Sequence, residues 1–89
     1  MSREKLAEAA DVLEAAASDA DDDLAERLRG QADQLAKLAD RSSGPDHGRL
    51  ARHMHTLSDL ADDADGDLAD EIQRAYDLVE GYRSTVSGV

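Results

Sequence analysis

The sequence predicts an all-α fold: internally duplicated helical hairpins forming a four-helix bundle-like domain. Three observations lead there. Apolar residues recur at helical spacing from end to end. No β-branched run argues for a strand. The chain also repeats itself at a spacing of 44 residues, pairing Leu6 with Leu50, Leu13 with Leu57 and Asp19-Ala20-Asp21 with Asp63-Ala64-Asp65. Asp23-Leu24-Ala25 pairs with Asp67-Leu68-Ala69, and Leu28/Ile72 and Leu35/Val79 are conservative matches. Two copies of one helical unit explain this, with repeat halves at about 2–44 and 46–88 of a single domain.

The elements follow in order. Helix 1 presents Leu6, Ala9, Ala10, Leu13, Ala16 and Ala17 on one face. Helix 2 presents Leu24, Leu28, Leu35 and Leu38. The stretch Ser42–Gly48, "SSGPDHG", holds the sole proline and reads as the central turn, with His47 in it. Helix 3 presents Leu50, Met54, Leu57, Leu60 and Ala61. Helix 4 presents Leu68, Ile72, Ala75, Tyr76, Val79 and Tyr82. The two tyrosines read as core, filling volume that a chain without Phe or Trp lacks elsewhere.

The breaks inside each half are the acidic phrases "DADDDLAERL" and "DADGDLADEI". Asp23 is placed to cap helix 2, with Glu26 as the other half of a capping box, and Asp67 with Asp70 repeats the arrangement for helix 4. Gly66 suits the end of helix 3. An alternative remains, because the apolar stripe keeps its phase through the first phrase: Leu6, Leu13, Ala17, Leu24, Leu28 and Leu35 step by 7, 4, 7, 4 and 7. The chain could then be two long helices in a hairpin, each ~60 Å long, that dimerises into a four-helix bundle. The Asp- and Gly-containing breaks favour four helices. In either case the large apolar residues are few, so the sequence predicts a homodimer, or a monomer stable only in high salt.

Charge bounds the function. The 89 residues carry 21 acids, 15 of them Asp, against 10 bases, for a formal net charge of -11. At about 1 M salt the Debye length falls to ~3 Å and surface carboxylates hardly repel. In dilute buffer the same charge opposes compaction. The composition therefore predicts a halophilic protein. No basic stripe is available for phosphates, so nucleic-acid binding is excluded. No apolar run of signal-peptide or membrane-spanning length occurs, which predicts a cytoplasmic location with no membrane contact. Cysteine is absent, which removes disulfides, thiolate metal sites and thiol nucleophiles.

Candidate chemistry is sparse. Counted from Asp19 or Asp63, the positions that a calcium-binding EF-hand loop gives to Gly and Glu hold other residues, so the aspartates read as caps on a solvated surface. His47, His53 and His55 lie close in sequence but on different faces, so no metal site is assigned. No nucleophile motif or phosphate loop occurs, and neither enzymatic activity nor a cofactor is expected. One local composition stands apart, "GPDHGRLARHMH", where Arg49 and Arg52 gather beside the histidines in an otherwise acidic chain. Asp46, His47, Arg49, Arg52 and His53 form the candidate interaction patch, for a protein partner of unknown identity. In the competing reading Asp46 caps helix 3, the arginines pair with nearby acids and His53 edges the core.

The central "RSSGPDHGRLARHMHTL", set between two DxDxD phrases, resembles a small family of haloarchaeal acidic helical proteins, a domain of unknown function. The likeness covers essentially the whole chain. It implies a helical fold and a haloarchaeal source, and it brings no activity, cofactor or catalytic residue. The reading is a small protein-interaction or regulatory module without catalytic activity. The alternative is a cation- or metal-responsive binding protein using the acidic breaks or the histidines.

Overall fold

A computed structural model describes residues 3–40 and 47–84. Four helices account for nearly all of them: α1 (Arg3–Ser18), α2 (Asp22–Asp40), α3 (His47–Asp63) and α4 (Gly66–Arg83). No described residue lies in a strand. The four-helix reading holds and the two-long-helix alternative does not. The longest extent of the molecule is 37 Å, too short for a helix of ~60 Å.

Each expected face is buried. Leu6, Leu13, Leu28, Leu35, Leu50, Leu57, Leu60, Ile72 and Val79 are sealed from solvent. Alanines at 9, 10, 16, 17, 25, 32 and 75 fill the layers between them. Tyr82 joins this core, while Leu24, Leu68 and Tyr76 are only partly buried at its edge. Burial recurs at the 44-residue spacing: Leu6 and Leu50, Leu13 and Leu57, Leu28 and Ile72, and Leu35 and Val79 are buried pairs.

The packing is uneven around the bundle. α1 lies along both α2 and α4, and α3 lies along α4, whereas α2 and α3 scarcely touch. The α2–α3 seam is bridged by polar groups instead. Arg27 pairs with Asp63 at 3.5 Å, and His53 Nδ1 lies 2.8 Å from Gln31 Oε1. Across the closer α1–α4 seam, Arg74 reaches Glu8 at 3.4 Å and Gly81 lies against Lys5.

The acidic breaks differ from the expected detail. α1 tightens at its end, with Asp19 N–H donating to Ala16 C=O and Ala20 N–H to Ala17 C=O. The first phrase then caps α2 through Asp21, whose Oδ1 accepts from Leu24 N–H at 3.0 Å. The expected cap, Asp23, is inside the helix. The cap position of α4 is Asp65, in extended conformation with no side-chain capping bond, so Asp67 is likewise two residues too late. A run of aspartates offers several competent caps. The chain uses the one that directly precedes the first helical residue, because only there is the backbone extended while the side chain reaches the next turn. Gly66 does not end α3. It is the first residue of α4 and carries φ +58°, the left-handed region that an L side chain adopts only with strain.

The central turn is shorter than expected at its C-terminal side. His47 and Gly48 belong to α3. The remainder of the expected turn, residues 42–46, and with it the capping role of Asp46, lies outside the described residues.

Candidate functional site

The candidate interaction patch does not come together as a surface. Asp46 lies outside the described residues, as do the side chains of His47 and Arg49. Arg52 is exposed on α3. His53 turns the other way and is only 7 % exposed. Its place follows from the helical period: it falls between Leu50 and Leu57, whose face it shares. The buried imidazole finds a partner in Gln31 across the α2–α3 seam, with Nδ1–H donating to Oε1. His53 is thus a satisfied core histidine, the competing reading of that position, and offers nothing to a ligand from outside.

His55 behaves as expected of a different face. It is exposed, and its Nε2 lies 3.5 Å from Asp59 one turn on. Among the described residues no group of three or more His, Cys, Asp or Glu is arranged to hold a metal ion. The acidic phrases are spread along exposed helix ends. Asp21 accepts a capping bond, Asp63 pairs with Arg27, and the neighbouring carboxylates face solvent.

A different group of residues does converge. Between α3 and α4 lies an open groove of about 280 Å³, lined by Ala51, Met54, His55, Ser58, Tyr76 and Arg83. The register of the two helices explains the set. Ala51, Met54, His55 and Ser58 are spaced by three, one and three residues, one stripe of α3. Tyr76 and Arg83 are two turns apart on α4. Met54 and the half-buried Tyr76 make an apolar floor at the edge of the core. Arg83 is half-buried, and its Nε is enclosed without a hydrogen-bond partner among the described residues. The groove therefore presents a guanidinium, a phenol, a hydroxyl and an imidazole beside apolar surface.

The sequence reading assigned Met54 and Tyr76 to the core and passed over Ser58 and Arg83. Each residue alone carries no signal. The 44-residue offset does carry one, since the equivalents of Met54, His55, Ser58, Tyr76 and Arg83 are Ala10, Asp11, Glu14, Ala32 and Ala39. The groove is one of several places where the two halves differ in chemistry; Glu8/Arg52 and Arg27/Glu71 reverse charge elsewhere.

Neither curated proteins nor solved structures include a match to the chain. A family profile does match, over residues 1–85. The chain belongs to that family, a family of unknown function (DUF7553).

Proposed function

We propose that the protein is a non-catalytic binding module of a salt-rich, haloarchaeal-type cytoplasm, and that it docks a partner protein at the α3–α4 groove. One observation carries this reading. In an acidic chain, the groove combines a half-buried guanidinium with Tyr76, Met54 and hydroxyl and imidazole groups. Arg and Tyr are the residues that anchor interfaces, because each brings apolar area and directed hydrogen bonds together. The pairing of His55 with Asp59, and not with a hydroxyl, supports the non-catalytic part. The salt-rich setting is supported by the exposure of every described acidic side chain except Glu71.

Photo-crosslinking in the source cells tests the docking site. A benzophenone amino acid replaces Ala51, which is exposed at the groove, or Ala36, which is exposed on α2. A discrete protein crosslinked from position 51 and not from position 36 is expected. No adduct at 51, or the same adducts at both positions, would contradict the proposal.

A further inference from the structure

Resting on that docking reading, we propose that the α3–α4 groove recognises a carboxylate carried on a short apolar stem, as presented by an acidic segment of a partner protein.

The first support is the groove's own chemistry. Arg83 holds an Nε–H in an enclosed position with no acceptor among the described residues. The guanidinium fork matches a single carboxylate in two parallel hydrogen bonds. Sites for phosphate groups usually assemble several arginines, and Arg83 is the one arginine lining this groove. The Ser58 hydroxyl can donate to an oxygen on the α3 side, and the Tyr76 phenol on the α4 side. Met54 and the Tyr76 ring offer apolar surface to the stem of the ligand. A groove of about 280 Å³ has room for one side chain and its neighbour.

The second support is independent of that geometry. The repeat supplies a comparison, because Leu6/Leu50, Leu13/Leu57, Leu28/Ile72 and Leu35/Val79 are buried in both halves while other chemistry changes. Position for position, the first half holds Ala10, Asp11, Glu14, Ala32 and Ala39 where the groove holds Met54, His55, Ser58, Tyr76 and Arg83. Two carboxylates are lost, a guanidinium is gained, and two alanines become larger side chains. Each change is in the direction that a carboxylate ligand requires. None is needed to bury the core, since Ala10 and Ala32 are themselves buried in the first half. At the rim, His55 Nε2 lies 3.5 Å from Asp59.

In molar salt, long-range attraction is screened, so recognition must rest on direct contacts of this kind. A saturable site is therefore distinguishable from general ion binding. The full chain in about 3 M KCl would be titrated with hexanoate and with hexanamide, which share a stem and differ in charge. Chemical shifts of the Met54 methyl, the Tyr76 ring and the Arg83 Nε–H report binding. Hexanoate should give saturable shifts at these three, with hexanamide at least about tenfold weaker. Arg83→Gln should weaken hexanoate by a similar factor. Ser58→Glu restores the carboxylate of the first half at an exposed position, so the fold is kept, and it should weaken hexanoate as well. Arg52→Gln, outside the groove, should change nothing.

Equal behaviour of hexanoate and hexanamide would overturn the carboxylate inference. So would hexanoate binding untouched by Arg83→Gln and Ser58→Glu. In either event the docking reading still stands or falls on its crosslinks. Saturable hexanoate binding without a protein crosslink from position 51 would overturn the partner protein as the source. N-acetyl-Leu-Glu-amide binding more tightly than hexanoate would support it.

Discussion

Gly66 and Gly30 are one residue type under two different backbone demands. Gly66 opens α4 at φ +58°, so any L side chain there is strained although nothing stands within 4 Å of its Cβ position. Gly66→Ala should cost about 1 kcal/mol or somewhat more, and Gly66→Asn distinctly less, because Asn tolerates the left-handed region. Gly30 is exposed in the middle of α2 with open space where a Cβ would go. Gly30→Ala should therefore stabilise by about 0.5–1 kcal/mol through helix propensity and a less flexible unfolded chain. Thermal unfolding of the variants at fixed high salt checks both signs. His53 shows the limit of residue-level reading. Its place at the core's edge was legible from Leu50 and Leu57. Its partner was not, since Gln31 is 22 residues away on another helix and no local pattern links them. Gln31→Ala removes the acceptor that His53 Nδ1–H uses across the seam and should cost about 1–3 kcal/mol. In an His53→Leu background the same change should cost clearly less. That coupling, read from a double-mutant cycle, would vanish if the two side chains did not interact.

At the scale of the element, helix identity was legible and helix ends were not. Most of each helix stripe found by period is buried, with Leu24, Ala61, Leu68 and Tyr76 partly so, because a 3.6-residue repeat of Leu and Ala leaves water along one face. The ends are set by competition among similar aspartates. Asp19, Asp21, Asp22 and Asp23 are all chemically fit to cap, and only three-dimensional placement selects Asp21. The two breaks consequently make different predictions despite their similar sequences. Asp21→Ala removes a 3.0 Å capping bond and should cost about 1 kcal/mol. Asp65→Ala removes a side chain that makes no such bond and should cost a few tenths of that. Equal losses would show that the α2 cap contributes nothing beyond the helix dipole. The seams between helices follow a similar logic. Fully buried Ala9 and Ala75 belong to α1 and α4, which lie close together. The positions 44 residues away, His53 and Gln31, belong to α3 and α2, which do not. Interaxial distance depends on the side chains at the contact, and imidazole against carboxamide holds two helices further apart than two methyl groups do.

For the molecule as a whole, burial and charge pull in opposite directions. The apolar side closes within one chain: nine large aliphatic side chains are shielded without a second copy. The sequence argued for a dimer because its large residues are few. In the single chain, buried alanines lie between these residues where α1 packs along α2 and α4. The charged side is open. Arg27–Asp63, Lys37–Asp33, Arg74–Glu8 and His55–Asp59 are all more than half exposed at both partners. Such pairs contribute roughly 0–1 kcal/mol each at best. Because each pair takes one acid and one base, the -11 net charge is left whole. The proposed salt-rich setting follows from this, since high ionic strength would silence the repulsion around so small a core. The groove that carries the functional proposal was invisible at the levels of residue and element. It emerges only when α3 and α4 are laid side by side and each position is compared with its counterpart in the other half.

The central claim is that one chain closes its own core beneath a surface that requires salt. Absolute molar mass by light scattering, with helicity recorded on the same samples in about 3 M and about 0.1 M KCl, tests it most directly. The account predicts a helical species at the 9.6 kDa mass of the single chain in high salt, with helix lost on dilution. A helical dimer in high salt that dissociates as it unfolds would place part of the core across an interface. Full helicity at low salt would show that surface repulsion does not govern this fold. Either result would contradict the account.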